Sequence, residues 1–133
     1  MSDDIRLYRT ILPVDSIERA SAFFGSVFDT PGERVSPGRH YFNCGGTLLA
    51  CYSPDDDGDR PTERWHFHEN QYLYFAVADL ETYRERIVAA GGTLLSDIAS
   101  MPWGETLFYA LDDQGSRLCF VDNTTLFIGS LGD

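Results

Sequence analysis

The segment Trp65–Asn70, WHFHEN, sets His66 and His68 two residues apart. In an extended chain alternate side chains share a face, so both imidazoles project to one side and Trp65 and Phe67 to the other. His-x-His on a strand can supply two of the three or four donors that a divalent metal needs. Glu63 and Glu69 lie close enough in sequence to join an adventitious surface site. The reading favoured here has the histidines facing water, with Trp65 and Phe67 packed against the sheet or a partner subunit. A second candidate is the acidic run SPDDDGDRPTER. With Ser53 as position 1, Asp55, Asp57 and Gly58 fall on positions 3, 5 and 6 of a calcium-binding loop. Position 12, which needs a bidentate Glu, is Arg64, and GTLLACY before the loop reads as a strand rather than a helix. A solvated acidic loop is expected instead. A third candidate is nucleophilic: the Cys119 thiol needs a base, and His40 is the only histidine outside the 66–68 pair. His40 follows a turn, where an exposed ring is the ordinary outcome, so no Cys–His pair is expected.

Composition narrows the partners. With 133 residues the chain has the length of one domain. Its 10 Lys+Arg against 21 Asp+Glu give a net charge of -11, which repels phosphate backbones and anionic headgroups. Nucleic acid and membrane are therefore excluded as expected partners; solubility or a cationic ligand fits the acidic balance. No apolar run approaches the ~20 residues of a membrane helix, and the N-terminus MSDDIRLYRT has acids where a signal peptide has bases. A cytoplasmic protein is expected. Cys44, Cys51 and Cys119 lie in apolar stretches outside any C-x-x-C pair, as buried thiols in a reducing compartment do.

The elements that must position any site come in two similar sets. LYRTILPV runs into DSIERASAFFGSVF, a strand followed at once by an Asp-Ser helix start, with Ile17, Ala20, Phe23, Phe24 and Val27 at helical spacing. YLYFAV runs into ADLETYRERIVAAGG, with Asp79 as N-cap, Leu80, Tyr83, Ile87 and Val88 on one face, and Gly91 and Gly92 at the end. Val14 and Val77 are 63 residues apart, and at that offset Ile17 meets Leu80, Glu18 meets Glu81 and Phe24 meets Ile87. After each helix come three short strands. Turns at Ser36–Arg39 and Gly45–Gly46 divide the first set; Pro102–Gly104 and Asp112–Gly115 divide the second. The chain thus reads as two βαβββ modules, residues 5–53 and 71–127, joined by an Asp-, Pro- and Gly-rich linker over 54–70.

Paired modules of this kind, with VDSIERASAFF after the first strand and PWGETLFYALDDQGSRLCFVD at the close, resemble the vicinal oxygen chelate superfamily. Glyoxalase I, the bleomycin-resistance proteins and the extradiol dioxygenases belong to it. The resemblance covers residues 5–127. It implies an α+β fold in which two βαβββ modules form a curled mixed sheet, often in a homodimer. It also implies one divalent metal held by side chains on the first and last strands of both modules. Those positions fall on Arg9, Ala50, Tyr72 and Cys119, none of which is His, Asp or Glu. A slip of one residue brings in Tyr8 or Thr10, Leu49 or Cys51, Gln71 or Leu73, and Leu118 or Phe120, which adds no imidazole or carboxylate. No metal and no other cofactor is therefore expected.

Alternation along the same strands places Ile11, Leu48, Tyr52, Tyr74, Arg117 and Val121 on the side of Arg9, Ala50, Tyr72 and Cys119. This aromatic and aliphatic lining with guanidinium groups suits a small-molecule site. An Arg within such a cup needs a carboxylate, a ring face or a ligand. Arg9 and Tyr72, at matched positions, are expected to share the site. The function expected is metal-free binding of a small aromatic or amphipathic molecule by Arg9, Ile11, Leu48, Ala50, Tyr52, Tyr72, Tyr74, Arg117 and Cys119, with no catalytic residue. The alternative is a metal-dependent lyase, isomerase or dioxygenase with non-standard ligands; a third reading is a structural partner whose pocket its own side chains fill.

Overall fold

A computed structural model describes residues 5–59 and 71–127, and the chain divides into two compact units, Met1–Phe67 and His68–Asp133. Trp65, His66, Phe67 and His68, with Glu63 and Glu69, lie outside the described residues.

The first unit runs β1 (Arg9–Pro13), α1 (Ile17–Phe28), β2 (Glu33–Ser36), β3 (Arg39–Cys44) and β4 (Thr47–Tyr52). Its helix starts where the sequence predicts. Ser16 is the N-cap, its Oγ accepting from the Arg19 N–H at 3.2 Å. The expected stripe of Ile17, Ala20, Phe23, Phe24 and Val27 is the buried face, laid on β3 and β4 with the Phe24 ring 6.2 Å from that of Phe42. Removing one such ring, as in Phe24→Ala, costs about 3–5 kcal/mol. The strands follow the order β1-β4-β3-β2, with β1 parallel to β4 and the other pairs antiparallel. The two-residue turn at Gly45–Gly46 sets Tyr41 opposite Ala50 and Asn43 opposite Leu48.

The loop after β4 departs from expectation. Asp55 is exposed as expected, but Asp56, Asp57 and Asp59 are turned onto the unit's own donors. Asp56 Oδ2 accepts from the Ile17 N–H at 2.8 Å, completing the α1 cap. Asp57 accepts from the Gly38 N–H at 2.9 Å and pairs with Arg39, and its side chain is only 7% exposed. Gly38 has to be glycine, because an added Cβ would lie 2.3 Å from the Ser53 carbonyl oxygen. Carboxylates already occupied this way are not held ready for a cation.

The second unit runs β5 (Tyr72–Val77), α2 (Leu80–Ala89), β6 (Thr93–Leu94), β7 (Ala99–Ser100), β8 (Thr106–Leu111) and β9 (Arg117–Asp122). Asp79 caps α2 as predicted, its Oδ1 accepting from the Glu81 N–H at 3.1 Å. Leu80 and Ile87 are buried and the Tyr83 ring lies 5.5 Å from Phe120, but Val88 is exposed. One residue past Ile87 is about 100° around the helix, and this ten-residue helix buries only a narrow stripe. The sheet order is β5-β9-β8-β6, with β5 parallel to β9 and the other pairs antiparallel. Where one strand is expected after α2 there are two short ones, β6 and β7, both paired with β8. Ser96 causes the break. Its Oγ accepts from the Tyr109 N–H at 2.9 Å, replacing a strand carbonyl in the ladder. Both units are thus α+β with mixed sheets. No helix among the described residues is long and apolar enough to cross a membrane.

Candidate functional site

Each sheet has one face under its own helix and one far face. In the second unit Phe75, Phe108 and Phe120 stack at 5.3 Å spacings on the α2 side. Alternation therefore sends Tyr72, Tyr74, Arg117, Cys119, Val121 and Tyr109 to the far face. Register sets Tyr72 against Arg117, and Tyr74 and Tyr109 on either side of Cys119. The Tyr72 ring lies 5.4 Å from Tyr109 and 6.4 Å from Tyr74, and the Arg117 guanidinium 5.7 Å from the Tyr72 centroid. Arg117 also donates to the Tyr72 hydroxyl at 3.4 Å.

Beneath these phenols Leu107, Cys119 and Val121 form a buried cluster on which Met101 and Tyr109 pack. Burial, helped by the charge of Glu105, pushes the Cys119 thiol up to about 12. It stays protonated at neutral pH and is no nucleophile. Tyr74 is 56% exposed as a whole, yet desolvation of its hydroxyl and a hydrogen bond with Tyr109 hold its phenol above the ordinary range. The Tyr74 phenol therefore acts as a neutral hydrogen-bonding group on an apolar ring.

The far face of the first unit carries Arg9, Ile11, Leu48, Ala50, Tyr52, Arg39 and Tyr41, with Arg9 opposite Leu48 and Ala50 between Ile11 and Tyr41. Arg9 is exposed, so the cost of a buried charge does not arise. Of the three partners expected for it, ring faces are present: its guanidinium lies 5.3 Å from the Tyr8 ring and 5.6 Å from Tyr41, and it donates to the Tyr41 hydroxyl at 3.3 Å. Tyr52 is tied to the acidic loop. Its ring sits 4.3 Å under Arg39 and its hydroxyl donates to Asp59, a bond that raises the phenol's pKa.

The inherited metal positions hold a guanidinium, a methyl, a phenol and a protonated thiol. This donor set does not fit a divalent ion, and among the described residues no group of three or more His, Cys, Asp or Glu converges. His40 is buried rather than exposed. It lies on the helix side between Pro31, whose carbonyl accepts from Nε2 at 2.7 Å, and Arg34, whose Nε donates to Nδ1 at 3.1 Å. Both ring nitrogens are engaged, which leaves no free base. Sequence reasoning missed Tyr41 and Tyr109, and named Tyr8 only as a slipped metal position. The hairpin at Gly45–Gly46 carried the signal for Tyr41, since it alone fixes which residue of β3 stands beside Ala50.

Comparison with known proteins agrees with this architecture. The model of the Glyoxalase/Bleomycin resistance protein/Dioxygenase superfamily matches residues 6–120. A glyoxalase-related enzyme from Fulvimarina pelagi is similar in structure, with 24% identity, a TM-score of 0.71, and 94% of this chain and 93% of that one covered. A glyoxalase/bleomycin resistance protein from Albidiferax ferrireducens T118 is similar at 17% identity and a TM-score of 0.70, over 86% and 97% of the two chains. Lactoylglutathione lyase from Agrobacterium tumefaciens is similar at 20% and 0.69, over 91% and 96%. At these identities the likeness is one of fold. No curated protein matches the sequence. The family match spans both helices and all but the last residues of the second sheet: the chain belongs to the Glyoxalase/Bleomycin resistance protein/Dioxygenase superfamily.

Proposed function

We propose that this protein binds a small aromatic or amphipathic molecule on the far faces of its sheets, without a metal. The observation that supports this reading is the contact group of Tyr74, Tyr109 and Arg117 around Tyr72. It offers apolar ring surface with hydroxyl and guanidinium donors at its edge. Taken by itself, the first unit's far face offers a guanidinium, aliphatic surface and a ring through Arg9, Ile11, Leu48, Ala50 and Tyr52. Cys119 is floor rather than reagent. We propose self-association as well: Ile5 and Leu7 are exposed just before β1, which ends its sheet, and such apolar surface suits a homodimer interface. Free Cys44, Cys51 and Cys119 suit the cytoplasm.

The test is elemental analysis of untagged protein after dialysis. Zinc, nickel, iron and manganese are each expected far below one equivalent per chain. A near-equimolar metal overturns the binding reading in favour of a metal-dependent lyase, isomerase or dioxygenase, and its loss from a His66→Ala, His68→Ala double variant would then locate it. Light scattering at micromolar concentration is expected to give about twice the 14.9 kDa chain mass; a clean monomer ends the dimer proposal.

A further inference from the structure

We infer that the molecule bound on the first unit carries a carboxylate or phosphate, held by Arg9 next to an apolar body; this rests on the binding reading above. Arg9 differs from Arg34 and Arg39 of the same unit. Arg34 pairs with Glu18 at 3.0 Å, and Arg39 pairs with Asp57 and Asp59. Among the described residues Arg9 faces phenols and no carboxylate, in a chain with twice as many acids as bases.

Among the described residues no carboxylate pairs with Arg9, and the ring contacts set its orientation. Tyr8 and Tyr41 lie against the guanidinium, and the Tyr41 hydroxyl occupies one donor direction. A guanidinium has five N–H donors in a rigid fork that matches two oxygens of a carboxylate or phosphate. Fixing that fork in advance lowers the ordering cost of binding. Two residues along β1 on the same face, Ile11 is 46% exposed beside Ala50, so aliphatic surface adjoins the cation. The net charge of -11 repels anions at long range, but at physiological salt that field is screened within about 8 Å, and the contact decides.

The test uses amide and arginine Nε–H NMR titrations of the full chain with benzoate, phenyl phosphate, phenol and benzylamine. Benzoate and phenyl phosphate are expected to bind more tightly than phenol or benzylamine and to shift the Arg9 Nε–H. Arg9→Met is expected to weaken both anions by about tenfold or more while leaving phenol unchanged, and Arg9→Lys to recover part of the loss. Equal binding of phenol and phenyl phosphate, with no effect of Arg9→Met, overturns the anion assignment and leaves the binding reading standing. If none of the four probes shifts a residue of either far face, the binding reading falls and the anion assignment with it. Since Arg9 is exposed, unchanged melting of the empty Arg9→Met protein serves as the fold control.

Discussion

At the centre of the first unit's far face stands Ala50, flanked by Ile11 and Tyr41; at the matched place in the second stands Cys119, flanked by Tyr74 and Tyr109. The strand order around them is the same, yet the chemistry has separated. At the first register step the arginine stands on the first strand in one unit, Arg9 opposite Leu48, and on the last strand in the other, Arg117 opposite Tyr72. In the first unit, charges wire the face to an acidic loop through Arg39, Asp57 and Asp59. In the second, aromatic rings close over a buried thiol. A duplicated scaffold fixes where side chains stand without fixing their polarity, so each face has to be tested on its own.

The largest expected contrast is in thiol reactivity. A pKa near 12 in place of 9.0 leaves Cys119 roughly a thousandfold less thiolate at pH 8 than an ordinary thiol, before its burial is counted. With a disulfide reagent on native protein, the half-buried Cys44 is expected to react first and Cys119 only on unfolding. If Cys119 reacts at the rate of a free thiol, the second face is open to water and the contrast disappears.

Next in size is a pair of glycine substitutions in equivalent turns. Gly38→Ala drives a Cβ against the Ser53 carbonyl and the Asp57 N–H, and is expected to cost about 3 kcal/mol. Gly104, between β7 and β8, has φ +103 but nothing within 4 Å of an added Cβ. Gly104→Ala is expected to cost about 1 kcal/mol, from backbone strain alone. Denaturant melts showing equal losses would mean that the acidic loop does not press on the first turn.

The smallest effect is a difference of sign with pH. The Ser36 hydroxyl, the Gly38 N–H and Arg39 hold Asp57 below its ordinary 3.8. Its contribution to stability is therefore present above pH 3.8 and is lost as pH falls through the lower folded value. Burial raises Asp112 above 3.8, even though it accepts from the Gln114 and Ser116 N–H groups. That group favours the folded state below pH 3.8 and loses the advantage as pH rises through its folded value. Relative to its own stability at neutral pH, Asp57→Asn is expected to lose less on acidification than the parent, and Asp112→Asn to lose more. Parallel acid limbs in the two variants would remove the distinction.

The fold is legible in the sequence because its signals are local. Ser16 and Asp79 cap helices a few residues downstream, and the Phe23–Phe24 and Leu80–Ile87 spacings mark buried faces within one or two turns. Alternation likewise puts Arg9, Tyr72, Tyr74, Arg117 and Cys119 on far faces, because the side-chain period of a strand needs no tertiary information. What escaped depends on register or on distant partners. Tyr109 reaches Cys119 through hairpin pairing, Ser96 breaks a strand by bonding 13 residues away, and His40 is buried by Arg34 and Pro31 on other segments. The acidic loop reads as solvated because composition records charge and not the donors that meet it.

The Asp56 cap has a consequence for how the protein is made. The first helix begins at Ile17, but the carboxylate that takes its leading N–H lies 39 residues later. A ribosome releases the N-terminal segments first, at about 5–20 residues per second. For several seconds α1 is outside the exit tunnel with one donor unclaimed and the strands it covers still arriving. A chain halted just before residues 54–59 would hold every strand of that sheet without the carboxylate that takes the leading N–H of its helix.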